Sequence, residues 1–177
     1  MFALILGLVI LASAKTYPFT LTSCAKNPTF IIHQMTIQPD NPINIQGGFT
    51  LNFDIEVTKE ITEASVALTF QKEVLFWVTI PCAKNVGSCT YNNVCELFAN
   101  VTDECLNATR SHGFDKVPCS CPIPVSRYTA SIPIPPLDIP DGIEWLASGN
   151  YKIKMVATDP TGAEISCYEA KFSLATK

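Results

Sequence analysis

Eight cysteines in a chain that opens on a short apolar leader constrain this sequence more than any other feature. Cys24 and Cys167 stand near the two ends, while Cys82, Cys89, Cys95, Cys105, Cys119 and Cys121 crowd into one central stretch. An even count in a secreted chain reads as a disulfide framework: one terminus-to-terminus staple plus a locally cross-linked insert. Roughly a hundred connectivities are open to eight cysteines, and spacing alone does not choose among them.

The leader sets the compartment. Phe2 to Leu11 is an unbroken apolar run, followed by the small residues Ala12-Ser13-Ala14. It is well short of the ~20 residues a spanning helix needs and has the cleavage-site pattern of a signal peptide, although no charged n-region precedes it. A membrane anchor or a buried N-terminal strand is the alternative reading. Residues 1–14 are therefore expected to be removed, leaving residues 15–177 as a single soluble domain in the lumen or outside the cell.

The chain is 47% hydrophobic and only 16% charged, more apolar than a solid core of this size requires. Its formal charge of −4, without any Lys/Arg stripe, excludes a nucleic-acid binder, which needs such a stripe to replace phosphate counterions.

Leu51, Phe53, Ile55 and Val57 alternate with Asn52, Asp54 and Glu56, the period-two pattern of a half-buried strand. Ala64, Val66, Leu68 and Phe70 repeat it, as do Tyr151, Ile153, Met155 and Ala157, and 30–37 and 168–174 are further strands. Gly47-Gly48, Pro140-Asp141-Gly142 and Asp159-Pro160-Thr161-Gly162 punctuate them as turns. The fold class is all-β and antiparallel, a sandwich or cup without βαβ alternation. One segment differs: Val94, Leu97, Phe98 and Val101 share a helical face, and Asn93 with Glu96 has capping-box spacing. A short helix is expected near 93–101. Asn100 and Asn107 open glycosylation sequons, which places 100–110 on the surface.

Catalytic chemistry is thin. His33 lies in an apolar strand and reads as a hydrogen-bonded structural residue; His112 lies in the cysteine-rich loop. Neither adjoins a nucleophile motif. Zinc held by Cys119, Cys121 and His112 competes with disulfides, which the even cysteine count favours. Neither a cofactor nor a metal is expected, and the chain is not expected to be an enzyme.

Two apolar stretches remain. Residues 74–80 form a continuous hydrophobic run, whose plainest reading is a strand buried on both faces. In 132–146, Pro133, Pro135, Pro136 and Pro140 alternate with large apolar residues, so most of it must be loop or sheet edge. Such loops either cover a core or touch lipid, and Trp77 and Trp145 suit a boundary that is dry on one side and wet on the other. The residues alone leave both readings open.

Lys72-Glu73-Val74, Trp77 ahead of Ile80-Pro81-Cys82, Gly87-Ser88-Cys89 and Cys95 occur in that order. Pro118-Cys119-Ser120-Cys121-Pro122 and Trp145-Leu146-Ala147-Ser148-Gly149-Asn150-Tyr151 continue the series. Together they resemble the lysosomal ganglioside activators, within the MD-two-related lipid-recognition family, over essentially the whole mature chain. The resemblance implies a two-sheet β-cup around a lipid cavity, with bridges Cys24–Cys167, Cys82–Cys89, Cys95–Cys121 and Cys105–Cys119. It further implies a non-enzymatic protein that extracts glycosphingolipid or phospholipid from an anionic membrane surface and presents it to a lysosomal β-hexosaminidase. Two departures stand out: the Val74–Trp77 loop is one residue shorter than the family pattern, and Gly48 replaces the asparagine of an expected sequon.

On that reading Phe53, Ile55, Val66, Leu68, Phe70, Ile153 and Met155 line the cavity. Leu75, Phe76, Trp77, Ile143, Trp145 and Leu146 form a membrane-facing rim. A sterol or fatty-acid carrier, or a secreted lipid-sensing module without an enzyme partner, is the alternative. A small hydrolase is the third reading, and it lacks both an activated nucleophile and a calcium–histidine site.

Overall fold

The computed structural model describes residues 15–96, 105, 117–139, 142 and 144–176. Among these residues ten strands form two sheets. The small sheet consists of β2 (Phe30–Gln38), β4 (Phe49–Val57) and β8 (Ser126–Ile134), with β4 central and antiparallel to both neighbours. The large sheet is built on β1 (Thr20–Ser23), β5 (Ser65–Glu73), β6 (Trp77–Thr79), β9 (Gly149–Thr158) and β10 (Glu164–Ala175). Its order is β1-β10-β9-β5-β6, antiparallel throughout. Two short strands complete it: β3 (Ile43–Asn44) runs parallel to β10, and β7 (Thr90–Tyr91) antiparallel to β5.

The alternation expected from sequence explains which faces meet. Phe53 and Ile55 on β4 lie opposite Ala130 and Tyr128 on β8, and Met35 and Ile32 on β2, giving one apolar face. The other face is polar. There the Arg127 guanidinium donates to both Asp54 oxygens (2.7 and 2.6 Å), and His33 Nε2 lies 2.7 Å from Glu56 Oε2. His33 therefore has a hydrogen-bonding partner, but at an exposed bulge between Ile32 and Gln34 rather than among apolar neighbours. In the large sheet Leu68, Met155 and Tyr168 are in register, as are Phe70, Ile153 and Ala170. Tyr168 joins the sheets: its hydroxyl accepts the Ile32 N–H (2.6 Å) and donates to the Phe30 carbonyl (3.3 Å).

The closely packed core lies at one end of the sandwich. Val57, Ile61, Ala64, Tyr128, Ala157 and Ile165 form it, where β4 and β9 finish and β5, β8 and β10 begin. All eight cysteines are bridged, in the pairs the resemblance implies. Cys24–Cys167 fastens the end of β1 to β10, where the Cys24 N–H also donates to the Cys167 carbonyl (2.9 Å).

Several expectations change. The run 74–80 is not a doubly buried strand, because β5 stops at Glu73 and Val74-Leu75-Phe76 form an exposed hairpin turn before β6. Residues 94–96 are helical, but Asn93 and Glu96 do not form the reciprocal capping box. Asn93 has φ +57°, its amide donates to Glu96 Oε1 (3.0 Å), and its main-chain carbonyl takes the Glu96 N–H (3.1 Å). The proline-rich stretch behaves as expected: Pro133 stands on β8, an edge strand, and 135–139 is loop. The leader 1–14, the helical positions Leu97, Phe98 and Val101, the sequons at Asn100 and Asn107, His112 and Ile143 lie outside the described residues.

Candidate functional site at the open end of the sandwich

The end opposite the packed core collects the β5–β6 turn, the 144–148 segment before β9, the 135–139 loop and β3. At the turn the Val74 N–H donates to the Phe76 carbonyl (3.2 Å), and Val74, Leu75 and Phe76 are 69%, 91% and 70% exposed. Trp145 is 55% and Leu137 44% exposed at the same end. A hairpin turn is ordinarily polar, so three consecutive large apolar side chains in water set this turn apart from the rest of the surface.

Tyr151 holds up this end. It is fully buried, stacked on Phe70 (5.2 Å) and Phe172 (5.8 Å), and its hydroxyl lies 2.8 Å from the Leu146 carbonyl and 3.0 Å from that of Ser148. The segment carrying Trp145 and Leu146 (a 3-10 turn over Glu144–Leu146) is thereby pinned to the inner wall. Lys72 completes the joint. Its ammonium lies over the rings of Trp145 (5.5 Å) and Tyr151 (5.6 Å) and donates to the Trp145 carbonyl, and burial pulls its pKa below the ordinary value. Gly149 has φ +123°, a backbone conformation that residues with a Cβ rarely adopt, so this joint favours glycine. Gly48, at φ +76°, leaves only 2.9 Å between a built Cβ and the Ile134 carbonyl, which accounts for glycine at that departure from the family pattern.

Burial pushes the Tyr151 phenol up to about 12 from 10. The neutral form is favoured in the folded state, so the associated stability is complete below pH ~10 and is lost as pH rises through the folded pKa. Tyr151→Phe is expected to lower stability by about 1–2 kcal/mol at neutral pH, since a buried carbonyl loses its donor. In alkaline melts followed by circular dichroism, the variant should lack the wild-type fall in stability between pH ~10 and ~12. Identical pH profiles for the two proteins would contradict this role.

The seven lining candidates, Phe53, Ile55, Val66, Leu68, Phe70, Ile153 and Met155, lie on the inward faces and are all only half-buried. In a filled sandwich with sheets ~10 Å apart, inward side chains interdigitate and are buried. Val66 and Met155 also line an apolar pocket of about 250 Å³ beside the packed core, with Phe30, Val94 and Ile165. Leu75 and Phe76 stand at the tip, and Trp145 and Leu146 on the neighbouring turn. Trp77 is placed differently: on β6 opposite Glu73, with its half-buried ring against Tyr17 (6.4 Å) and under Lys152 (4.3 Å), on the outward face of the large sheet. Sequence reasoning missed Lys72 and Phe172 as members of this end, and placed Leu137 only within the apolar proline-rich stretch. Phe172 carried a signal, since it falls in phase with Tyr168 and Ala170.

Among the described residues no cluster of His, Cys, Asp or Glu could hold a metal ion, and no helix is long and apolar enough to cross a membrane. The family model of the ML domain matches residues 18–174. The chain belongs to the ML-domain family. This ML domain is 32% identical over 192 residues to the ganglioside GM2 activator of Mus musculus, covering 97% of this chain and 95% of that protein. It is 29% identical over 184 residues to that of Macaca fascicularis, covering 96% and 92%. Among solved structures it is similar to a Niemann-Pick type C2 protein from the Japanese carpenter ant (10% identity, TM-score 0.42, covering 89% of this chain and 99% of that one). It is also similar to chicken MD-1 complexed with lipid IVa (12% identity, TM-score 0.38, covering 88% and 98%).

Proposed function

We propose that this ML domain binds lipid between its sheets and moves it out of membranes without changing it chemically. The observation that carries this reading is the half-buried apolar interior between the sheets, together with an apolar turn that projects from one end of the sandwich. The lipid class is a glycosphingolipid or phospholipid, taken from an anionic membrane surface in the lysosomal lumen or outside the cell. On the strength of the resemblance, the protein acts as activator of a lysosomal β-hexosaminidase.

The energetics favour a carrier. Exposing about thirty methylenes of a two-chain lipid to water costs roughly 24 kcal/mol, at about 0.8 kcal/mol each. A lined cavity replaces bilayer contacts by protein contacts, so transfer is nearly neutral and the barrier is what the protein lowers. Val74, Leu75, Phe76, Trp145 and Leu146 serve there, keeping the exit dry while the chains pass from bilayer to cup.

A second reading, a fatty-acid or sterol carrier or a lipid-sensing module without an enzyme partner, is favoured by the size of the pocket beside the packed core. At about 250 Å³ it lies below the range of about 300–1,000 Å³ usual for small-molecule sites. Native mass spectrometry of the secreted protein decides between them. A co-purifying two-chain lipid is expected; a sterol or single-chain lipid would establish the second reading. Protein that flies unliganded and extracts nothing from vesicles would remove both.

A further inference from the structure

The outward face of the large sheet carries an arrangement that lipid binding between the sheets does not use. Lys171 on β10 and Lys152 on β9 are direct cross-strand partners, a position in which like charges repel. Neither forms an ion pair among the described residues, in a chain whose net charge is −4. Lys154, on the same face, lies 3.7 Å from Glu169, the one carboxylate lining this groove. The two unpaired ammoniums sit over rings instead. Lys171 Nζ lies 3.4 Å from the Tyr17 centroid and 5.5 Å from that of Trp77, and Lys152 Nζ lies 4.3 Å from that of Trp77. One row nearer the tip, the Glu73 carboxylate is held by the Asn150 amide (2.9 Å) and the Tyr17 hydroxyl (3.4 Å). The Thr69 hydroxyl and the Gln71 amide, one of whose N–H groups goes to Thr79 Oγ1 (3.3 Å), line a groove of about 290 Å³ with Thr20, whose hydroxyl donates to the Lys171 carbonyl (3.4 Å).

We propose that this groove binds the phosphate of anionic phospholipids in a bilayer whose surface the Val74–Phe76 turn has entered. The proposal rests on the membrane docking argued above and adds the headgroup class and the face that meets it. Two facing ammoniums flanked by hydroxyl and amide donors suit a phosphate oxyanion, which would relieve their mutual repulsion. The groove is continuous with the apolar turn through Trp77. Gln71, the β5 partner of Lys152, precedes Leu75 by four residues, about 13 Å along an extended strand. Interfacial anchors bury about 5–10 Å, so a tip at the acyl boundary sets these ammoniums near the phosphate level.

The test is flotation with vesicles of phosphatidylcholine, with and without phosphatidylglycerol. The double variant Lys152→Gln/Lys171→Gln is expected to lose roughly thirtyfold in binding to the anionic vesicles and nothing on neutral ones. Its melting temperature should equal or exceed that of the wild type. Lys26→Gln/Lys59→Gln, with the same charge change far from the groove, should retain binding. Loss of binding as large in that control pair, or a groove variant within threefold of wild type, would overturn the site and leave docking by the tip intact. Wild-type protein that binds neither vesicle would sink the docking reading and this one together. Binding of inorganic phosphate without any preference for anionic vesicles would assign the groove to a soluble anion and also overturn it.

Discussion

Replacing Cys24 and Cys167 together by serine is expected to lower the melting temperature by about 10–20 °C, the largest stability effect of any single bridge here. The bridge closes a loop with a sequence separation of 143 residues. In the chain-entropy model such a closure is worth about 5 kcal/mol, and domains of this size lose about 2–4 °C per kcal/mol. The native state gives a second reason. The largest buried apolar cluster is the one around Val57, Tyr128 and Ile165, while Phe53, Ile55, Val66, Leu68, Phe70, Ile153 and Met155 on the inward faces are half-buried and contribute less dispersion and hydrophobic energy. Cys24–Cys167 ties the edge strand β1 to the buried start of β10, so removing it frees an edge strand as well as the unfolded chain. Cys82–Cys89 spans a separation of only 7 residues, and its double serine variant should cost about 2 kcal/mol on the same model. Scanning calorimetry checks the order. A shift below about 3 °C for the Cys24/Cys167 variant, or a larger one for Cys82/Cys89, would contradict the account.

What could be read from sequence follows the physics of each signal. Period-two alternation located β4, β5 and β9, because a sheet with one wet face writes itself into alternate residues. The same signal located the inward faces, but it could not say whether those faces touch, since a lining residue and a core residue are chemically alike. The run 74–80 failed for a related reason. Hydrophobicity without period does not distinguish a doubly buried strand from an apolar turn, and only strand pairing shows that β5 ends at Glu73. Trp77 stands with Leu75 and Phe76 in the expected rim because an indole suits a boundary that is dry on one side and wet on the other. The β5–β6 pairing sets it opposite Glu73, on a different surface from the tip. The joint made by Lys72, Tyr151 and Gly149 was unreadable as a unit, because its members are brought together only by strand register and a glycine backbone.

The second large effect is expected at the tip. Leu75→Asp/Phe76→Asp should weaken vesicle binding by about a hundredfold or more and slow lipid extraction in proportion. Burying a leucine and a phenylalanine side chain contributes about 1.5–3 kcal/mol each, and every 1.4 kcal/mol is a factor of ten. Both residues are exposed in the isolated domain, 91% and 70%, so the melting temperature should stay within about 2 °C of wild type. A structural role would do the opposite, lowering stability along with binding. A third measurement separates docking from lipid binding. A short-chain lipid dissolved below its critical micelle concentration reaches the interior without a bilayer, so its affinity should be unchanged in the variant. If extraction persists at the wild-type rate, the apolar turn does not enter the membrane and the exit of the cup lies elsewhere. If affinity for the soluble lipid falls as well, Leu75 and Phe76 belong to the binding site itself, and the tip cannot be treated as a separate docking element.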